Sequence, residues 1–243
     1  MKVAAIIQAR MDSSRFPGKI LKKVLGKTLL EYQIERIKES KIINEIIIAT
    51  TTKESDNQIV QLCQQLLVPY YRGPEEDVLS RYYEAATEFN IDVIVRLTSD
   101  CPIIDPNVIN KVVGHYLENR NQYDYVSNTL KRTYPRGMDT EVMSYKALKR
   151  AYEESGELMY REHVTTYIYN HPNQFKLWNI SNCKDESKHR WTVDTVEDFE
   201  LIEKIISTLY PEDNFFHMSD VLNVINKNPT WFDINSHIEQ KYV

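Results

Sequence analysis

Glycine is scarce here, with only 6 among 243 residues. That scarcity removes the familiar glycine-rich phosphate loops. The dinucleotide fingerprint G-x-G-x-x-G is absent. Leu25-Gly26-Lys27-Thr28 ends like a P-loop, but that loop needs a glycine five positions before Gly26, where Leu21 stands. The stretch reads instead as a turn followed by a helix N-cap. Cysteine is rare as well. Cys63, Cys101 and Cys183 are scattered, odd in number and without zinc or redox spacing, which suits a reducing, cytoplasmic setting. No apolar run approaches the roughly 18–20 residues of a membrane helix. The first residues enter an apolar strand with no signal-peptide pattern, so a cytoplasmic protein that avoids membranes is expected. Positive charge is not in excess: the net charge is −5, and no nucleic-acid partner is expected. An Asp-x-Asp pair occurs nowhere; the nearest approach is Asp139-Thr140-Glu141.

What is present is ordered. Hydrophobic residues make up 42% of the chain, enough for the core of one large domain. The 16 tyrosines suit half-buried surfaces and leave a homodimer open. Short apolar runs at Val3–Ile7, Glu45–Thr50 and Val93–Leu97, with a shorter one at Pro69–Arg72, read as strands. Helical spacing covers Thr28–Ser40, Ser55–Leu67, Asp77–Phe89 and Pro106–Leu117. Such alternation predicts an α/β protein, a mostly parallel sheet with helices on both faces. Ligands then belong at the carboxyl ends of the strands, just after Ile7, Thr50, Arg72 and Leu97. After Asn119 the pattern loosens. Strands are expected at 123–127, 140–143, 175–180 and 191–193, and helices at 144–154, 162–170, 197–208 and 218–226. No linker divides the chain. Residues 1–243 are read as a single domain with a less regular region at about 120–190, assigned to the acceptor or to dimerisation.

Chemistry concentrates at three places. Residues 1–27 carry Lys2, Arg10, Arg15, Lys19, Lys22, Lys23 and Lys27 against Asp12 alone, in an otherwise acidic chain. Lys22, Lys23 and Lys27 read as a solvated face. The loop after the first strand, Gln8 to Lys19, holds two arginines, a lysine, two serines and Gly18. Guanidinium forks, an ammonium and exposed backbone N–H groups suit a triphosphate, and Gly18 allows close backbone approach. Next, Arg96-Leu97-Thr98-Ser99-Asp100-Cys101-Pro102 ends the fourth strand. Asp100 there is either a ligand for Mg²⁺, a cation that prefers oxygen donors, or turn chemistry before proline. Lastly, in Arg190-Trp191-Thr192-Val193-Asp194-Thr195-Val196-Glu197-Asp198, Thr195 is a helix N-cap. Glu197 and Asp198 read as helix-start acids that favour the dipole. Asp194 is a second metal candidate or a third such acid.

The arrangement of Arg10, Ser13, Arg15, Pro17, Gly18 and Lys19, followed by an apolar residue and a basic helix, resembles the signature of cytidylyltransferases. These include the enzymes that activate 3-deoxy-manno-octulosonate and acylneuraminate. Gln8 departs from the proline those enzymes often carry, a change expected to alter loop stiffness. The resemblance extends to Asp100 and to the V-D-T-x-E-D segment at Asp194, so it spans Ile6 to about Ile206. Tyr134 to Val142 and Arg161 to Thr165 are similar to the spore-coat polysaccharide, SpsF-type branch. The resemblance implies a three-layer α/β/α, Rossmann-like nucleotidyltransferase fold. It implies Asp100 and Asp194 as Mg²⁺ ligands, with Arg10 and Lys19 joining them in catalysis. Arg10, Ser13, Arg15, Gly18 and Lys19 would bind CTP, helped by Arg72 and Asp77 after the short third strand. Arg136, Asp139, Glu141 and His163 would bind a sugar-type acceptor. The implied reaction moves a CMP group from CTP to a sugar acid and releases pyrophosphate. Two rivals stand beside it. A nucleotide-sugar-dependent glycosyltransferase of related fold would be expected to show Asp-x-Asp. A non-catalytic nucleotide-binding protein would have no need of both aspartates.

Overall fold

The computed structural model describes residues 1–239. Strand β1 (Val3–Gln8) is buried along almost its whole length, because apolar side chains leave it on both faces. After it come a small hairpin, β2 (Lys23–Val24) and β3 (Lys27–Thr28), and helix α1 (Leu29–Lys38). Gly26 turns the hairpin at φ 87° and Thr28 is the helix N-cap, the turn and cap expected from the sequence; Thr28 also closes a capping box with Glu31. The alternation then runs β4 (Glu45–Thr51), α2 (Asn57–Gln65), β5 (Tyr70–Gly73), α3 (Val78–Glu88), β6 (Val93–Thr98) and α4 (Pro106–Glu118). The remainder supplies β7 (Tyr125–Ser127), β8 (Glu141–Ser144), α5 (Tyr145–Glu154), α6 (Leu158–Glu162), α7 (Thr166–Asn170), β9 (Leu177–Asn179), α8 (Val196–Leu209), α9 (Met218–Lys227) and α10 (Thr230–Asp233).

Seven strands form one sheet in the order β5-β4-β1-β6-β8-β7-β9. All pair in parallel except β8, which is antiparallel to both β6 and β7. Helices α1, α2 and α4 pack on one face through Leu30, Ile34, Ile59, Ile109 and Val112. Helices α3, α5 and α7 cover the other through Leu79, Tyr82, Leu148 and Ile168. The result is the three-layer α/β/α arrangement. A third cluster joins α8 and α9 to the hairpin and to Trp191.

Two expectations from periodicity fail. Trp191–Val193 is not a strand; beside it the chain makes a single parallel bridge, Arg136 to Arg190. The stretch 162–170 is not one helix either. It is two short helices broken at His163–Thr165. Among the described residues no helix is long and apolar enough to cross a membrane.

The inverted strand matters for the site. Because β8 runs against β6, with Glu141 opposite Arg96, the start of β8 lies at the carboxyl edge of the parallel strands. Residues preceding β8 therefore share an edge with those following β1 and β6.

Candidate active site

The basic loop is folded on itself and pinned from below. The N–H groups of Ser13 and Gly18 both donate to the Met11 carbonyl, at 3.0 and 2.9 Å. Gly18 sits at φ 67°, a left-handed conformation that an L side chain rarely adopts, and turns the chain into the short 3-10 turn that carries Lys19. Met11 N–H donates to Oδ1 of Asp56 at 2.7 Å, while Oδ2 of Asp56 accepts from the Thr51 hydroxyl at the end of β4. Buried Asp56 thus ties the loop to the sheet. It went unremarked because a lone acid at a helix start carries no signal.

Segment 189–194 brings the two distant aspartates together. Arg136 N–H donates to His189 O at 3.0 Å, and Trp191 N–H donates to Arg136 O at 2.8 Å. Val193 N–H then donates to the Asp100 carbonyl at 2.8 Å, and the Thr192 hydroxyl reaches the same oxygen at 3.3 Å. Gly137 makes this approach possible: at φ 100°, a Cβ there would lie 2.7 Å from the backbone C and O of Trp191. Lys19 Nζ sits 2.7 Å from Oδ1 of Asp194 and 3.7 Å from Oδ2 of Asp100, so one ammonium faces both carboxylates. Arg15 and Arg190 reach Oδ2 of Asp194 at 3.0 and 2.8 Å. Burial pushes the Asp194 carboxyl up, but Lys19, Arg15 and Arg190 outweigh it and hold the group below the usual aspartate value.

Asp198 proves to be more than a helix-start acid. It is wholly buried, and its carboxylate accepts from Arg190 Nε and Nη2, the N–H groups of Asp194 and Thr195, and Asn235 Nδ2. It fixes both the backbone of Asp194 and the arginine that holds its side chain. Glu197 remains at the helix start, only half-buried.

Among the described residues no group of three or more His, Cys, Asp and Glu side chains gathers around a metal position. Asp100 and Asp194 are nonetheless a suitable donor set for Mg²⁺. That ion is commonly held by one or two carboxylates, with waters and substrate phosphates completing its shell. A single cation, the Lys19 ammonium, already reaches both carboxylates.

A cleft of about 350 Å³ opens over this group. Arg10, Ser13, Arg15 and Lys19 line it from the loop, together with Asp100 and Asp194. Gln8, Val78, Arg81, Ser99, Glu162 and His163 also line it. Gln8 shows what the departure from proline achieves. Its N–H donates to the Tyr82 hydroxyl at 3.2 Å and its side-chain oxygen accepts from Arg96 at 3.4 Å; proline offers neither group.

A second cleft, about 380 Å³, adjoins the first and shares His163 with it. Asp139 and Glu141 line it together with Arg96, Arg132, Thr165, Thr166 and Tyr169. Each acid has its own arginine. Arg132 forms a two-pronged pair with Asp139 at 2.6 and 2.7 Å, and Arg96 donates to both oxygens of Glu141 at 3.0 Å. Burial lowers the His163 imidazole below the usual histidine value, against the opposing pull of Glu162.

Other expected residues lie elsewhere. Arg72 spends its guanidinium on Thr51 O, Lys53 O and Asn57 Oδ1, each at 2.8 Å, and braces the turn after β4. Asp77 caps α3 through Ser80 N–H at 2.9 Å and pairs with Arg161. Gly18 shapes the loop without lining the cleft. Arg136 lines neither cleft, and its backbone binds the 189–191 segment. Arg96 and Arg132 supply the guanidiniums of the second cleft instead.

A parallel sheet with a basic loop and two facing carboxylates at its carboxyl edge defines an α/β protein of the nucleotidyltransferase type. The particular family follows from comparison with known proteins. The family profile for cytidylyltransferases matches residues 4–224, and the chain belongs to that family. It is 31% identical to the spore coat polysaccharide biosynthesis protein SpsF of Bacillus subtilis, over 92% of this chain and 94% of that one. It is 29% identical to a 3-deoxy-manno-octulosonate cytidylyltransferase of Chlamydia trachomatis, over 72% of this chain and 68% of that protein. A solved cytidylyltransferase from Leptospira borgpetersenii superposes with a TM-score of 0.92 at 34% identity, covering 100% of both chains. The chain is therefore a nucleotidyltransferase of the SpsF-like branch, and the alternation read from the sequence is that fold.

Proposed function

We propose that the protein transfers CMP from CTP to a sugar acid or related sugar acceptor, with Mg²⁺, and releases pyrophosphate. The reading includes a cytoplasmic reaction that supplies surface polysaccharide synthesis. One observation carries it: the Lys19 ammonium within 3.7 Å of both Asp100 and Asp194, beside Arg15. Sugar-acid chemistry and the polysaccharide setting draw support from the relatives' names.

Asp100 and Asp194 would hold the ion, which when bound withdraws charge from phosphate oxygens and stabilises the negative charge that builds up on them. Arg10, Arg15 and Lys19 bind the β- and γ-phosphates and stabilise pyrophosphate as it leaves. The acceptor lies in the second cleft, where Arg132–Asp139 and Arg96–Glu141 orient hydroxyl or charged groups. His163 stands at the junction. A hydroxyl or phosphate oxygen of the acceptor attacks the α-phosphorus in line. The chain contributes chiefly position and preorganised charge. The glycosyltransferase rival lacks its Asp-x-Asp pair.

The test is pyrophosphate release, with each of four nucleoside triphosphates, from sugar acids, amino sugars and sugar phosphates. Release is expected with CTP, one acceptor class and magnesium. Asp100→Asn and Asp194→Asn should each lower turnover by about 100-fold or more while the protein stays folded. Near-normal turnover in both variants would remove the metal assignment, and a preference for another nucleotide would remove CTP.

A further inference from the structure

The four carboxylate oxygens of Asp100 and Asp194 are not equivalent. Arg15 and Arg190 hold Oδ2 of Asp194, at 3.0 and 2.8 Å. Oδ1 of Asp194 is taken by Lys19 Nζ at 2.7 Å. On Asp100, Oδ1 accepts from Cys101 Sγ at 3.5 Å, while Oδ2 faces the Lys19 ammonium at 3.7 Å. The two oxygens best placed to bridge a divalent ion are thus the two that Lys19 faces.

Distance makes the two cations rivals. Mg²⁺ binds its oxygens at about 2.0–2.1 Å. An ion on Oδ1 of Asp194 would stand within about 5 Å of Lys19 Nζ as the ammonium is now placed. The Lys19 side chain is only 12% exposed, so little water screens that repulsion.

Charge leads to the same point. Asp198 balances Arg190, which leaves Lys19 and Arg15 against Asp100 and Asp194. Those four groups cancel. A divalent ion entering alone would be uncompensated. A triphosphate brings the missing negative charge and offers the ammonium another anion in the same cleft. Lys19 lines that cleft beside Arg10, Ser13 and Arg15, and its flexible four-carbon stem can turn without moving the backbone.

We infer that Lys19 gates the metal position. In the free protein it holds Oδ1 of Asp194 and faces Oδ2 of Asp100; it leaves both for the arriving triphosphate, and a divalent ion then binds tightly only together with the nucleotide. This rests on the proposal that the two aspartates hold the ion and that a nucleoside triphosphate is the donor. The gate is a coupling between two ligands, so it is reciprocal: the nucleotide tightens the ion, and the ion tightens the nucleotide.

Titration with Mn²⁺ in place of Mg²⁺, followed by electron paramagnetic resonance without acceptor, tests the gate. With no nucleotide, Lys19→Met should bind Mn²⁺ about tenfold or more tighter than wild type. Adding Asp100→Asn to Lys19→Met should abolish the gain. Arg15→Met removes the same charge from the other oxygen of Asp194 and should gain less than about threefold. With saturating CTP the advantage of Lys19→Met should vanish or reverse, because the wild-type ammonium has then moved to phosphate. The gate falls if Lys19→Met binds Mn²⁺ no tighter than wild type, if Arg15→Met gains as much, or if the advantage survives with CTP bound. Failure of the underlying reading looks different. Asp100→Asn and Asp194→Asn would then leave Mn²⁺ binding to the CTP complex unchanged, and the metal assignment would go with the gate.

Discussion

Lys19 Nζ donates to Oδ1 of Asp194 at 2.7 Å, across 175 residues of chain. The two side chains come from opposite ends of the sequence. Their meeting depends on the Val193–Asp100 backbone hydrogen bond, which lays one segment over the end of β6. Lys19 serves both as counter-ion for the acids and as phosphate ligand in the proposed reaction.

Lys19→Met should therefore lower the rate of pyrophosphate release at saturating CTP by about 100-fold or more. Folding should survive, since Arg15 and Arg190 still pair with Asp194. A rate within about threefold of wild type would remove Lys19 from the reaction.

Asp198→Ala removes the buried carboxylate that accepts from Arg190 Nε and Nη2 and frees the backbone of Asp194. Breaking a buried ion pair this way costs about 3–5 kcal/mol. Chemical denaturation should show that loss, and the next-door substitution Glu197→Ala should change little. Equal effects would return Asp198 to the role of an ordinary helix-start acid.

Gly137→Ala should destabilise far more than Gly26→Ala. Both positions have positive φ, but a Cβ at Gly137 meets the Trp191 backbone at 2.7 Å, and one at Gly26 meets nothing within 4 Å. Backbone strain alone costs about 1–3 kcal/mol, and the clash adds to it at Gly137. Melting temperatures of the two variants decide it; similar shifts would mean that the 136–138 and 190–192 segments are not in close contact.

His189 makes stability sensitive to pH. Burial holds its imidazole below the usual histidine value, helped by Lys188 and Lys184 and opposed by Glu186. The unfolded chain, with an ordinary value of about 6.5, takes up this proton at higher pH than the folded one. The contribution is thus fully present above about pH 6.5 and is lost as pH falls toward the lower folded value. Denaturation curves from pH 7.5 to 5.5 should show His189→Gln losing less stability on acidification than wild type. Identical slopes would show that this histidine is not held neutral.

Arg132→Ala should raise the acceptor KM by about tenfold and leave the CTP KM within about twofold, because Arg132 lines only the second cleft. A rise in the CTP value instead would mean that the two clefts do not divide the substrates.

Most of the sheet was legible because its strands are buried on both faces. Val3–Ile7 and Val93–Leu97 are continuous apolar runs for that reason. Trp191–Val193 looks the same in sequence, yet it packs beneath the site with only a bridge beside it. Apolar composition reports burial, and burial alone does not specify strand pairing. Arg136 was read as an acceptor group, yet it lines neither cleft while Arg132 and Arg96 line the second, because a turn-rich segment shows which residues are polar, not which way they face. Arg72 and Asp77 sit after the correct strand but spend their groups on neighbouring backbone and on Arg161. Asp198 sits at an ordinary helical position, and nothing in its spacing reveals burial.

The sequence by itself determined the alternation of strand and helix, the basic loop at the end of β1 and the aspartates that follow two later segments. These are local matters, decided by periodicity, turn chemistry and charge within a few residues. Tertiary structure alone decided that Lys19 stands between Asp100 and Asp194, that β8 runs backward to bring Glu141 to the same edge, and that Asp198 lies buried against Arg190. Each depends on contacts between residues far apart in the chain. Such contacts exist only once the sheet has closed its order and the side chains have been packed out of water.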